Sequence, residues 1–360
     1  MAVAASDLIG DLIAQTPQGR VLESKFKGMS DVALAEAKRI GCTYADVRFT
    51  RRTSMGVNAR GGNRDFEDAG RFGGRGGGRG RGGRGRFGGG GDDDTTRTGA
   101  AGFGVRVIHS GVWGFASSPM VTEDEIRRIT RIATEVAKAS AIAKRADVKL
   151  APVPAYTEYW ITPVQKDPSR IPEEDRQALV QQVVDIVTKT KEVTSVNASV
   201  QISHEWKYFG SSEGSYIEQE VWSTSPSFTV TARKDGETRS RTFTGEMMTG
   251  GWEIAERAQM LENAERIAAE AVEYCTARPV DMGVKDLILT PSHAMLTIHE
   301  IVGHATELDR ILGYEANYAG TSFIKVSDLG KLKYGSKLFN VTADRNMPGG
   351  VGTIGYDDDG

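Results

Sequence analysis

Three of the five histidines in this 360-residue chain fall within twelve positions, in the run His293-Ala-Met-Leu-Thr-Ile-His299-Glu300-Ile-Val-Gly-His304-Ala-Thr-Glu307-Leu-Asp309. Neutral imidazoles are good zinc ligands, and a glutamate held beside the ion can take a proton from water and so make a nucleophile at neutral pH. His299, Glu300 and His304 have that inventory. Their spacing departs from the common zincin helix, whose two histidines stand four apart on one face. Five residues at about 100° each turn about 500°, so on a straight α-helix the imidazoles point about 140° apart and cannot share an ion. A shared ion therefore demands one residue of over-turn, a π-type bulge or a local break, and such bulges cluster at functional sites. Gly303, just before the second histidine, is placed to permit it. Without that over-turn the same residues are capping or core histidines, and Glu300 and Glu307 form a solvated face with Arg310.

The elements that must carry this run follow from pattern. Thr290-Pro291-Ser292 starts its helix, and Val284 to Leu289 reads as a short buried strand before it. Upstream, Ser30 or Asp31 caps a helix over 31–40 that Gly41 stops. Tyr44 to Thr50 alternates as a strand, with Ser54 to Ala59 as its hairpin partner. Gly104 to His109, a Ser110-Gly111 turn and Val112 to Ala116 form another hairpin. Thr122 with Glu125 is a capping box for a helix to about Arg145, its apolar face spaced at Ile126, Ile129, Ile132, Val136 and Ala139. After a proline-rich connector, 173–191 reads as an amphipathic helix and 193–247 as antiparallel strands with turns near Ser211 to Gly214 and at Asp235-Gly236. One more long helix is expected from Trp252 to about Thr276. The pattern predicts an α+β fold: an N-terminal α/β region with antiparallel sheets and long helices.

Composition isolates one foreign segment. Of the 43 glycines, 14 lie in residues 70–91, which otherwise hold only six Arg and two Phe. The chain carries 45 basic and 48 acidic residues; with the six insert arginines set aside, the remainder has a net charge of −9. That acidic body argues against a protein built as a nucleic-acid binder, so any such role rests on the insert. The tract resembles RGG-type RNA-binding segments, with Arg75, Arg79, Arg81 and Arg84 as candidate phosphate contacts and Phe72 and Phe87 able to stack on bases. Its composition predicts disorder over 70–94, since little in it offsets the entropy of ordering. Cys42 and Cys275 have no ligand-like spacing, which points to a reducing, cytoplasmic setting, and the N-terminus has neither a basic n-region nor an apolar run of membrane-spanning length.

Several motifs in order, Tyr44-Ala-Asp-Val-Arg48, Gly104-Val-Arg-Val107 with Trp113-Gly-Phe-Ala116, Ser212-Glu-Gly-Ser215, Gly251-Trp-Glu253, His299-Glu300 to His304, Ala319-Gly-Thr-Ser322 and Ile354-Gly-Tyr-Asp-Asp358, resemble the TldD/PmbA family. These are metallopeptidases first described as modulators of DNA gyrase, and the likeness is to the TldD-like branch. It extends over nearly everything outside the insert. The resemblance implies an N-terminal α+β domain over 1–280 and, from 281 to 360, the start of a mainly β C-terminal metallopeptidase domain. It implies His299 and His304 as Zn2+ ligands and Glu300 as general base, acting on unfolded or extended peptides. Such peptides pair as a strand with a sheet edge, for which Gly320, Thr321 and Ser322 are the candidate segment. It also implies a homodimer, or a heterodimer with a family paralogue. The family takes a third zinc ligand from a cysteine near its C-terminus, whereas this chain stops at Asp357-Asp-Asp-Gly360 and neither Cys42 nor Cys275 corresponds. The expectation is thus a C-terminally truncated peptidase, with the three aspartates either substitute oxygen ligands or a solvated turn. The alternative is a chain without catalysis, either an inactive partner subunit or an RGG-type RNA binder.

Overall fold

The computed structural model describes residues 24–62 and 98–360. The Gly/Arg-rich insert, with its expected disorder and the candidate contacts Arg75, Arg79, Arg81 and Arg84, lies outside the described residues. The described residues form two compact units, one within Met1–Ala277 together with Arg345–Gly360 and one over Arg278–Asp344.

The first unit is built on one eight-stranded sheet. Its elements are α1 (Ser24–Arg39), β1 (Tyr44–Gly61), β2 (Thr98–His109), β3 (Val112–Ser118), α2 (Glu123–Ser140), β4 (Thr157–Ile161), α3 (Glu173–Val187), β5 (Val193–Ser211), β6 (Tyr216–Lys234), β7 (Glu237–Thr244), β8 (Met248–Thr249), α4 (Glu253–Arg257) and α5 (Met260–Thr276). The strand order is β3-β2-β1-β5-β6-β4, with β7 and β8 also pairing β6. Every pairing is antiparallel except that of β4 with β6. This is the mixed α+β architecture that the pattern predicts.

Side-chain alternation explains how the helices are held. Along β1 the odd residues Ala45, Val47 and Phe49 enter one buried cluster with Ile126, Ile129, Ala133 and Ala137 of α2. Further along the same face Met55, Val57 and Ala59 enter a second cluster with Val180, Val183 and Val187 of α3 and Ala264, Ile267 and Ala271 of α5. Because the strand period is two, both clusters lie on one side of the sheet. The other side carries Asp46, Arg48, Arg52 and Arg106 and has no helix from either cluster. Gly114 marks how closely β3 approaches α2: a Cβ there would stand 2.0 Å from the Ala133 carbonyl oxygen.

Three expectations change here. Tyr44 to Ala59 is not a hairpin but one continuous strand, paired with β2 on one side and β5 on the other. Arg51-Arg52-Thr53, which reads as a turn, is the polar interval between the two clusters, and no Gly, Pro, Asn or Asp is there to reverse the chain. The long helix expected from Trp252 breaks at Gln259, whose φ of 57° is left-handed, and the break lets both Trp252 and Met260 reach the core. Of the capping box only half forms: the Glu125 N–H donates to Thr122 Oγ1 at 3.3 Å, while the Glu125 carboxylate pairs with Arg128 instead.

The second unit contains α6 (Pro291–Ile298), a π-helical segment His299–Gly303, a 3-10 turn His304–Thr306 and α7 (Leu308–Ile311). No strand occurs among its described residues. The buried strand expected at Val284 to Leu289 is absent, and Val284, Leu287 and Ile288 are exposed. A strand needs a neighbour to satisfy its row of N–H and C=O groups, and this run has none. The mainly β arrangement expected from 281 onward is likewise not present in the described residues. Among them, no helix is long and apolar enough to cross a membrane.

Candidate metal centre

Pro291 opens α6 at a position where its missing N–H costs nothing, and the Ala294 N–H closes the first turn on the Thr290 carbonyl at 2.8 Å. Eight residues later the winding changes. The His304 N–H donates to the His299 carbonyl, a bond between residues five apart, and His299–Gly303 is π-helical. The over-turn that the spacing of the two histidines requires is therefore present, and between the expected residues. Gly303 itself keeps right-handed helical backbone, and a Cβ there would meet nothing nearer than His299 Nδ1 at 3.7 Å. The over-turn does not depend on glycine.

Side chains take up carbonyls that the irregular winding frees. The Tyr334 hydroxyl donates to the Ile301 carbonyl. Thr306 Oγ1 donates to Val302 O at 2.8 Å and Ser322 Oγ to Ala305 O at 2.7 Å. Partners of this kind are what a departure from the i to i−4 ladder requires.

The consequence is a small donor set. The His299 and His304 rings lie 4.4 Å apart, tilted at 77°. Glu300 stands between them, 3.9 Å from His299 Nε2 through one oxygen and 3.9 Å from His304 Nε2 through the other. Ligand atoms of all three lie within 4.8 Å of one another. Two metal–nitrogen bonds of about 2.1 Å span at most about 4.2 Å, so a shared ion requires side-chain rotation to bring the donor atoms closer. The set is open to solvent, His304 being the most buried of the three. His304 Nδ1 lies 2.7 Å from Glu307 Oε1, and Glu307 is held by Arg310 at 3.1 Å. The sequence assigns Glu307 to a solvated face only where the over-turn is absent; its spacing of three from His304, one helical neighbour away, was the available signal for a contact.

The other candidate residues are placed elsewhere. Gly320 has a left-handed φ of 83°, and Gly320, Thr321 and Ser322 form a loop rather than a strand edge. Ser322 is spent on Ala305 and on the Ile324 N–H at 3.0 Å. Cys275 is buried with its thiol on Ala232 O at 3.4 Å, and the Cys42 thiol contacts Thr134 Oγ1 at 3.4 Å. Both cysteines are free. The aspartates near residue 360 have partners within the first unit. Asp359 accepts from Arg106 Nη2 at 2.6 Å, and Asp358 pairs with Lys207 at 3.4 Å.

Asp359 joins a charge cluster that the sequence did not disclose. Asp46, buried on β1, receives Arg106 Nε at 2.8 Å and Nη2 at 2.7 Å. Arg48 Nε is 3.8 Å from its other oxygen, and Arg48 Nη2 is 3.6 Å from Asp359. Burial pushes the Asp46 carboxyl above its ordinary range, against the pull of Arg106. Between α1 and α2, a hydrogen bond from Arg39, assisted by Arg131, holds the Glu36 carboxyl down at about 2.

Comparison with known proteins agrees with the resemblance read from the motifs. The profile of PmbA/TldA metallopeptidase domain 1 matches residues 89–142, and that of the PmbA/TldA metallopeptidase central domain matches residues 166–277. The His299–His304 run lies beyond both. A metalloprotease of Methanocaldococcus jannaschii is 27% identical over 266 residues, covering 72% of this chain and 56% of that protein. One of Synechocystis sp. is 28% identical over 264 residues, covering 72% and 54%. The chain thus spans about half the length of the curated relatives it matches. A Thermotoga maritima crystal structure described as a modulator of a DNA gyrase superposes with a TM-score of 0.50 at 14% identity, covering 72% of this chain and 50% of that one, a likeness of fold. Motifs, domain profiles and curated relatives agree in likening this chain to the TldD/PmbA metallopeptidases.

Proposed function

We propose that this chain is a zinc-dependent peptidase of the TldD-like branch that hydrolyses peptide bonds in unfolded or extended peptides, with His299 and His304 holding the ion and Glu300 as general base. The observation that carries the reading is the π-helical segment His299–Gly303, which turns two histidines five apart onto one carboxylate. The donor set suits a borderline ion such as Zn2+: two imidazoles, with a carboxylate between them. A catalytic zinc ordinarily takes a third protein ligand, which the family draws from a cysteine, and neither Cys42 nor Cys275 stands at the corresponding position of the sequence.

A bound Zn2+ would supply Lewis acidity, polarising the scissile carbonyl and making water easier to deprotonate. Glu300 does the proton work. Its carboxylate lies 3.9 Å from both Nε2 atoms and is more than half exposed, so water reaches it directly. It takes a proton from the attacking water and returns one to the departing amine, a role that contributes typically about 10²- to 10⁴-fold. Main-chain pairing of an extended peptide would account for broad sequence tolerance. Two free cysteines accord with a cytoplasmic setting, and the family resemblance with a homodimer or a heterodimer with a paralogue.

Zinc titration in competition with a chromophoric chelator tests the ligands. One ion is expected to bind per chain, and the ion is lost in His299→Ala and His304→Ala. Cleavage of an unstructured fluorogenic peptide in the presence of zinc tests the base. Glu300→Gln is expected to lower the rate by at least about 10². Zinc bound equally by the histidine variants, or cleavage by Glu300→Gln at the unmodified rate, overturns the assignment.

A further inference from the structure

We propose that Glu307 is a positioning residue that fixes the tautomer of His304, leaving His304 Nε2 bare on the side of Glu300; the inference rests on the reading of His299 and His304 as ligands. His304 Nδ1 lies 2.7 Å from Glu307 Oε1. An ionised carboxylate only accepts hydrogen bonds, so Nδ1 carries the proton, and in the neutral ring the lone pair is then on Nε2. That same Nε2 is the ring atom that stands 3.9 Å from Glu300. The imidazole is thus turned, and electronically prepared, with its donor nitrogen toward the candidate ion position.

Glu307 is itself fixed. Its second oxygen is 3.1 Å from Arg310 Nη2, and the same Nη2 lies 3.2 Å from Glu315 Oε2. Of His304, Glu307, Arg310 and Glu315, Arg310 is the most buried, 14% exposed, and Arg310 Nε also donates to Glu315 at 3.3 Å. The line His304, Glu307, Arg310, Glu315 has alternating roles of donor and acceptor, so each group holds the next in one orientation. Carboxylates that accept the outer N–H of a metal-bound histidine orient the ring and raise its basicity. The short 3-10 turn His304–Thr306 sets the spacing, since three residues bring Glu307 back beside His304. Among the described residues His299 has no such partner; the carboxylate beside it is Glu300, 3.9 Å from its Nε2. The two histidines are therefore unequal, and His304 is the preorganised one.

The tautomer can be read without any metal. In the metal-free full chain, long-range ¹H–¹⁵N correlation of the histidine rings is expected to show His304 as the Nδ1–H form, assigned by its loss in His304→Ala. Glu307→Ala is expected to shift that ring to the Nε2–H form or a mixture and to weaken zinc binding about 10- to 100-fold in chelator competition. Glu307→Gln, whose amide oxygen still accepts from Nδ1, is expected to keep the tautomer and most of the affinity, a rescue that a merely structural role would not produce. If Glu307→Ala leaves tautomer and affinity unchanged while His299→Ala and His304→Ala abolish zinc binding, the positioning role is overturned and the ligand assignment stands. If the histidine variants bind zinc as the unmodified chain does, the ligand assignment falls and this inference with it.

Discussion

Replacing Arg106 with Met tests whether the charge cluster on the open face of the sheet is structural. Asp46 is 1% exposed, and Arg106 supplies its two shortest contacts, at 2.8 and 2.7 Å. Methionine keeps the apolar stem and removes the charge, leaving a buried carboxylate with Arg48 at 3.8 Å as its nearest remaining cation. Removing one partner of a buried pair costs about 3–5 kcal/mol. Arg106 is a quarter exposed and water can enter its place, which moves the expected cost to about 3 kcal/mol. For a unit of this size that is a fall of about 6 °C in Tm, and Asp359 loses its 2.6 Å partner at the same time. The loss should depend on pH in a defined sense. Burial already raises the Asp46 carboxyl, and without Arg106 it rises further, so the folded variant holds a proton that the unfolded chain releases above its ordinary pKa of about 3.9. Folding of the variant is therefore favoured by acid at this site. Its deficit relative to the unmodified protein is full at neutral pH and shrinks as pH falls through the raised folded-state value. Denaturant melts of both proteins at about pH 5 and about pH 7, with the Asp46→Asn/Arg106→Met double variant, measure this. A deficit below about 1 kcal/mol at neutral pH, no change with pH, or a double variant as unstable as the single one refutes the account.

Gly114→Ala places a Cβ 2.0 Å from Ala133 O and 2.7 Å from Ala137 N, so β3 and α2 must separate; a loss of about 3 kcal/mol is expected in urea melts. Glu36, held at about 2 between Arg39 and Arg131, stabilises the folded state above its unfolded pKa of about 4.3, and this contribution is lost as pH falls toward 2. Acid titration of Glu36→Gln, followed by circular dichroism, is therefore expected to show a shallower loss of stability over that window than the unmodified protein. Nucleic-acid binding, if the chain has any, should vanish on deletion of residues 70–91. With six arginines available, the slope of log affinity against log salt for a single strand should be no steeper than about −4, and binding that survives the deletion removes the insert from consideration.

The over-turned helix was legible because two facts in the sequence conflict: an ion-binding inventory, and a spacing that a straight helix cannot reconcile. The rest of the site was not, because it depends on where other segments return. Asp46 and Arg106 are 60 positions apart and become cross-strand partners only once β1 and β2 pair in register. Asp359 comes from still farther away. The turn misread at Arg51-Arg52-Thr53 has a similar origin, since local polarity there reflects a gap between two helix-covered regions of one strand. Val284 to Leu289 shows the opposite failure. A short apolar run does not distinguish a buried strand from an exposed segment without a neighbour to pair with.

The loop at Gly320 to Ser322 takes on a different meaning in this light. The family resemblance makes it a candidate edge for substrate, yet Ser322 donates to Ala305, the residue after His304, and Tyr334 donates to Ile301 inside the π-helical segment. These bonds meet carbonyl groups that regular α-helix would have satisfied within itself. A histidine pair spaced five apart therefore carries a requirement that a pair spaced four apart does not: supporting hydroxyls must arrive from later in the chain to stabilise the over-turn. In this protein Tyr334, Thr306 and Ser322 meet it, so the segment following the histidines acts first on the geometry of the ligands, whatever it contributes to the binding of a peptide.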